Sequence, residues 1–409
     1  MQAIDRRTFL VSAGAPAVLS AATEKRGYSA IEIEKMLLRG DIAGRLTRDD
    51  LPTPALLLDL DAFEHNVNKM AKHCRDHNRA LRPHGKTHKC PDVAKALIRA
   101  GAVGACAAKL SEAEAFAAGG VTGILVTTAV IGKHKIERAM RLAAKHRDII
   151  FVADNAQNVR DLNDAAAAAK LRVNLAVDIH FGRTGIKPGD PALGLAQAIS
   201  TQPNLRLAGL QAYHGGASHT VGFEARKKVS RDNMGLAVDT RRLLEKNGIA
   251  CPLLTGGSTG TYNIDVDIDG ITELQPGSFI FMDLDYNRIG GQDGAVYRDF
   301  KNSLTVLATV VSKPADDFAI VDGGYKAFST DRPFMPEAKS IQGLEYRWAG
   351  DEHGRISLAK ASAAVNVGDR LEFIIPHCDP SVNLYNRLYC LRGEKVETVW
   401  TIAARGMSQ

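Results

Sequence analysis

The sequence has no basic stripe with interleaved aromatic side chains. Its net charge of +6 is spread along the chain, apart from short stretches such as KHK and RKK, and it leaves no electrostatic footprint for nucleic acid. The six cysteines, Cys74, Cys90, Cys106, Cys251, Cys378 and Cys390, include no C-x-x-C pair. A chain this long builds its own core without disulfide staples, and several of these cysteines fall inside apolar patterns, so buried thiols are expected. No apolar run is long and rich enough in Leu, Ile and Phe to span a bilayer, which excludes membrane anchoring by a helix. No G-x-G-x-x-G turn follows the first strand candidate, so the phosphate fingerprint of a doubly wound sheet is missing. Internal repeats and low-complexity tracts are absent too.

What is present is 409 residues, too many for one ordinary domain. They leave room for a barrel of ~250 residues and a smaller unit. Hydrophobic content of 45% and charged content of 24% are those of a soluble globular chain. The first residues, MQAIDRRTFLVSAGAPAVLSAATEK, set Arg6 and Arg7 before Phe9, Leu10 and an alanine-rich run. That order predicts a twin-arginine export signal over residues 1–22, cleavage near Ala22 and a periplasmic destination.

From Leu51 short apolar runs alternate with stretches of helical spacing. PALLLDL (54–60), ALRP (80–83), VGACAA (103–108), GILVTT (123–128), IIFVAD (149–154), RVNLAVD (172–178), LRLAGLQAY (205–213) and CPLLT (251–255) read as strands. Nearly continuous apolar strands belong to a parallel sheet covered on both faces. Eight or more βα units predict a (β/α)8 barrel over 51–288, with a doubly wound sheet as the runner-up. After Gly290 the helical spacing stops. NSLTVLATVVS (302–312), FAIVDGG (318–324), RLEFIIP (370–376) and KVETVWTIAARG (395–406) predict an all-β domain over 289–409. Residues 23–50 are expected to pack against it.

Parallel barrels keep their active sites at the carboxyl ends of the strands. Lys86, in RPHGKTHK (82–89), follows one such end, flanked by His84 and His88. Thr127, Thr128 and Asp178 end others, and Arg183, Tyr213, His214 and His219 follow closely. A lysine there, partly desolvated, suits imine formation. GGSTGT (256–261) combines glycines that admit close backbone approach with hydroxyl donors, as a phosphate dianion requires. His377 and Asp379, two apart at the end of an extended run in HCDPSVN (377–383), can turn imidazole and carboxylate to one cation, with Cys378 pointing away. Asp331, Glu352 and His353 could line the same cleft. Together these parts point to a lysine imine with a phosphorylated aldehyde cofactor, assisted by a divalent cation.

Taken in order, RPHGKTHK, KLSEAEAFAAGG (109–120), LQAYHGGASH (210–219), LLTGGSTGTY (253–262), LQPGSFIFMDLDY (274–286), VDGGYKAFS (321–329), DEHG (351–354), HCDPSVN and KVETVWTIAARG resemble the D-threonine aldolase family. That family belongs to the fold-type III, alanine-racemase-like pyridoxal-phosphate enzymes and includes 3-hydroxy-D-aspartate aldolases and D-serine dehydratases. The resemblance implies that Lys86 carries pyridoxal 5'-phosphate as an imine. Gly256, Gly257, Ser258 and Thr259 would hold the phosphate, Arg183 and Tyr213 would lie near the pyridine ring, and Tyr286 near the phosphate end. His377 and Asp379 would bind the cation, Mn²⁺ first, then Mg²⁺ or Zn²⁺, with Lys86 and His377 catalytic. A homodimer is implied, and the twin-arginine route, which carries folded proteins, suits a cofactor inserted before export.

The implied reaction is cleavage of D-β-hydroxy-α-amino acids, D-threonine or D-allo-threonine among them, to glycine and an aldehyde. Asp379 stands where the dehydratase branch looks to have a cysteine, which favours the aldolase branch over a D-serine or 3-hydroxy-D-aspartate dehydratase. The chain departs from its relatives at YNRLY (385–389) and at CAA (106–108), both expected near the substrate. Two other classes fit part of the pattern: a pyridoxal-phosphate carrier without catalysis, and a metal-dependent barrel hydrolase that needs no lysine imine.

Overall fold

In the computed structural model the described residues are 28–409 apart from Ala43; the expected export signal lies outside them. Eight short parallel strands follow one another around a barrel: β2 (Ala80–Leu81), β3 (Ala105–Ala107), β4 (Ile124–Val126), β5 (Ile150–Ala153), β6 (Val173–Asp178), β7 (Leu205–Ala212), β8 (Leu253–Gly256) and β9 (Glu273–Leu274). β2 pairs with β9, and the bonds Val103 N–H to Leu81 O (2.8 Å) and Cys106 N–H to Pro83 O (2.9 Å) join it to the β3 segment, closing the ring. Inside, Cys106, Leu125, Val152 and Ala176 form a dry layer. Outside, amphipathic helices cover the strands. The helix Leu60–Asp76 buries Phe63, Val67, Met70, Ala71 and Cys74, a stripe at helical spacing, and Asp59 caps its first turn by accepting from Ala62 N–H.

The strand expected first in the barrel is not part of it. β1 (Ala55–Asp59) pairs antiparallel with β10 (Leu304–Ala315) and parallel with a strand near the C-terminus. Its apolar run is buried on both faces, and that pattern cannot say which of two sheets does the burying. The eighth barrel strand is instead β9, two residues long and carrying Glu273, so no apolar run announced it. Lys86 therefore follows the first barrel strand, and GGSTGT the seventh.

The second sheet continues with β11 (Phe318–Val321), β12 (Glu337–Ala338), β13 (Glu345–Trp348), β14 (Gly354–Ser357), β15 (Arg370–Ile374), β16 (Arg387–Arg392) and β17 (Lys395–Thr401). Their order is β13-β14-β11-β10-β1-β16-β17, with β15 on β10 and β12 on β15. Phe328, Tyr346, Trp348 and Phe373 pack edge to face at its centre. Ile33, Ile42, Leu46 and Leu51, ahead of the barrel, share a buried cluster with Leu307, Tyr389 and Val396 of this sheet. All six cysteines are buried and free.

One segment fastens the two units together. Asp283 accepts from Tyr286 N–H (2.9 Å) with one oxygen and from Cys378 N–H (2.7 Å) with the other, while Leu284 N–H and Asp285 N–H donate to Ile375 O and Pro376 O, each at 3.1 Å. Residues 377–379 are thereby laid across the carboxyl end of β2.

Candidate active site

Lys86 sits in a single turn of 3₁₀ helix, Gly85–Thr87, directly after β2. Gly85 leaves no room for a side chain, because a Cβ there would lie 2.2 Å from the Phe116 ring. The Lys86 ammonium contacts Asp379 Oδ1, and Thr87 Oγ1 donates to Asp379 Oδ2 at 3.2 Å. Burial works against the Lys86 charge, but the Asp379 carboxylate outweighs it and holds the ammonium above the ordinary lysine value. Burial likewise pushes the Asp379 carboxyl up, and Lys86, followed by His377, pulls it well below the usual carboxylate range. The amine free to attack, expected from desolvation alone, is in this structure an ion-paired ammonium.

His377 places Nε2 3.9 Å from Asp379 Oδ2, and Cys378 faces away into the core, donating from Sγ to Asp283 Oδ2 (2.8 Å). The other ring nitrogen, Nδ1, lies 2.7 Å from Asp331 Oδ2. Asp331, one of three β-domain residues considered from the sequence, thus joins the site. Glu352 and His353 do not: both are exposed, and Glu352 pairs with Lys326.

At the barrel mouth a pocket opens, lined by His84, Thr127, Asp178, Arg183, Gln211 and Tyr213 among others. Arg183 lies over the Tyr213 ring, 5.6 Å from its centre. His84 accepts from Lys86 N–H at Nδ1 (3.3 Å), which leaves its proton on Nε2, 3.3 Å from Thr127 Oγ1. Burial first, then the Lys86 charge, press His84 down to about 3, so the ring is neutral. Asp178 accepts from Gln211 Nε2 (3.0 Å) and Thr184 Oγ1 (2.8 Å), and burial lifts its carboxyl to about 6.

Beside the pocket, GGSTGT wraps a turn braced from behind. Ser258 N–H donates to Thr261 Oγ1 (3.1 Å), which donates to Asp265. A Cβ on Gly260 would stand 2.1 Å from Ser218 O, and Ser218 Oγ is 2.7 Å from the Tyr286 hydroxyl. Among the described residues the N–H groups of Gly257, Thr259 and Gly260 donate to no protein acceptor. Gln211 Oε1 and Gln275 Oε1 are buried without partners beside the same pocket. Unspent donors of the turn and orphaned amides at the pocket fit a polar phosphorylated cofactor. Lys86, Asp379 and His377 meet at the end of β2, and Arg183 and Tyr213 line the adjoining pocket. The pocket-lining Gln275 donates its N–H to Gly256 O of the turn, and Tyr286 reaches Ser218. Cys106, expected near the substrate, lies in the barrel's dry interior layer instead, and Tyr385 bonds to Ala327 O (2.9 Å).

The family model of the alanine racemase N-terminal domain matches residues 58–285, and a serine dehydratase domain model matches 303–391. A D-threonine aldolase of Arthrobacter sp. is 40% identical over 359 residues, covering 87% of this chain and 93% of its own. The chain belongs to the D-threonine aldolase family. A 3-hydroxy-D-aspartate aldolase of Paracoccus denitrificans is 36% identical over 366 residues, 88% of this chain and 94% of its own. Among solved structures, the D-threonine aldolase from Filomicrobium marinum superposes with a TM-score of 0.84 at 36% identity, covering 88% of this chain and 98% of that one. The barrel and β sheet are therefore the alanine-racemase-like architecture that this family shares.

Sequence reasoning missed Asp283 and Arg332. Asp283 sits in an unremarkable MDLDY run, and its Cys378 partner lies ninety-five residues away. Arg332 bridges Asp331 and Asp285 at 2.8 Å each, a role visible only once the two units meet.

Proposed function

We propose that the protein cleaves D-β-hydroxy-α-amino acids to glycine and an aldehyde, with pyridoxal 5'-phosphate on Lys86 and a divalent cation on His377 and Asp379. The observation that carries this reading is the meeting of Lys86, from the barrel, with Asp379 and His377, from the β domain. It sets an imine-forming amine beside a nitrogen and oxygen pair that can share one cation. The cofactor, when bound, supplies a sink for the electron pair of the broken Cα–Cβ bond. The cation, when bound, supplies the Lewis acidity that lowers the pKa of a nearby β-hydroxyl.

The chain's own residues do the rest. Asp331 accepts the hydrogen bond from the His377 Nδ1–H, so the Nε2 lone pair is left for the cation. Neutral His84 adds no competing positive charge beside Lys86. The unspent N–H groups of the 256–260 turn would hold the phosphate, together with Ser258, Thr259 and Tyr286. Lys86, whose Nζ contacts Asp379, would hold a proton at that atom for the carbon that loses its substituent.

The test is a product assay on loaded enzyme. D-threonine should give glycine and acetaldehyde while L-threonine gives neither; chelation should stop turnover and Mn²⁺ restore it. Pyruvate from D-serine and 2-oxobutanoate from D-threonine, with no glycine, would move the chain to the dehydratase branch. A reducible chromophore persisting in Lys86→Ala would remove that lysine from the site. The periplasmic address and the homodimer belong to the same proposal, supported by the Arg6–Arg7 segment and by the family pattern.

A further inference from the structure

We infer that Asp331 is a positioning residue for the cation: it sets the tautomer and orientation of His377 without touching the ion. This rests on the reading that His377 and Asp379 bind the cation. An imidazole can ligate through one nitrogen only when the other carries the ring proton, and a carboxylate partner for that proton fixes the ring and strengthens the donor nitrogen. His377 Nδ1 has such a partner in Asp331 Oδ2, at 2.7 Å. That tautomer leaves Nε2 as the lone-pair nitrogen on the side of Asp379, 3.9 Å away.

The support extends one layer further. Arg332 holds the same Asp331 oxygen at 2.8 Å with Nη1 and Asp285 Oδ2 at 2.8 Å with Nε. Asp285 belongs to the barrel segment that hydrogen-bonds to Pro376. His219, on the barrel side, stands 3.2 Å from the same Asp285 oxygen. Ser329 grips the His377 backbone from the same loop, accepting from its N–H (3.1 Å) and donating to its carbonyl (3.2 Å). The segment 329–332 therefore pins both backbone and ring of His377, while a guanidinium anchored on the other domain balances and holds Asp331.

The experiment titrates Mn²⁺ into cofactor-loaded protein and reads free Mn²⁺ by electron paramagnetic resonance. Asp331→Ala should weaken Mn²⁺ binding roughly 10- to 100-fold, the usual effect of losing a carboxylate behind a ligating histidine. The cofactor absorbance and the unfolding midpoint should stay near wild type, and saturating Mn²⁺ should restore most of kcat. If Asp331→Ala fails to fold, the isosteric Asp331→Asn serves, with roughly tenfold weakening or more expected. His377→Ala and Asp379→Asn run alongside. If they leave Mn²⁺ binding unchanged, the cation site itself is misplaced. If they abolish it while the Asp331 variants bind within about twofold of wild type, the positioning role is overturned and the cation site stands.

Discussion

Replacing Asp178 by asparagine should stabilise the protein near neutral pH and slightly destabilise it in acid. Asp178 ends β6, is 4% exposed, and its carboxyl accepts hydrogen bonds from Gln211 and Thr184. Burial raises its carboxyl from 3.8 to about 6, with Arg183 too weak a counter-charge to prevent it. A folded-state pKa above the unfolded one means that the folded protein binds the proton more tightly. The stability this supplies is complete below about pH 4 and is lost as pH rises through about 6. A shift of roughly two units corresponds to about 3 kcal/mol. Asparagine carries no charge, so the variant lacks that loss. It does turn one amide N–H toward a former donor, which costs about 1 kcal/mol. The net expectation is a gain of about 2 kcal/mol at pH 7.5 and a deficit of about 1 kcal/mol at pH 4. Urea unfolding of the apoprotein at several pH values measures both. A difference between variant and wild type that does not change between pH 4 and 7.5 would refute the reasoning.

Other outcomes follow from the same geometry. Glu273→Gln breaks a two-pronged, buried pair with Arg82, both contacts at 2.9 Å, where the last barrel strand meets the first; it should lower unfolding free energy by roughly 3–5 kcal/mol in denaturant titrations. Gly260→Ala drives a methyl into Ser218 O at 2.1 Å, so strain of about 1–3 kcal/mol and loosened pyridoxal-phosphate retention, followed by absorbance during dialysis, are expected; wild-type retention would show that the turn does not hold the phosphate. Changing Arg6 and Arg7 to Lys should keep folded, active enzyme in the cytoplasm when fractions are assayed, and unchanged periplasmic recovery would argue against the twin-arginine route.

Much of the candidate site was legible because short-range chemistry is written in short motifs. The lysine between two histidines at a strand end, the glycine and hydroxyl turn, and the His-x-Asp pair each need neighbours within a few residues, so spacing alone marks them. The barrel was legible for a similar reason: β4 (ILV), β5 (IFVA) and β6 (VNLAVD) are mostly buried and mostly apolar, with amphipathic helices between them. Where chemistry depended on distant partners, the sequence was silent. Burial pattern could not say that Ala55–Asp59 pairs with β10 and β16, because both sheets bury a strand on two faces. A two-residue strand built around a buried ion pair, Glu273 with Arg82, has no hydrophobic period to read. The protonation of Lys86 was decided by Asp379, almost three hundred residues away. The same holds for Asp331 behind His377 and Asp283 behind Cys378. Sequence determined which side chains could do the chemistry; only the packing of β domain on barrel decided which of them face one another, because charge and hydrogen bonding act through space and not along the chain.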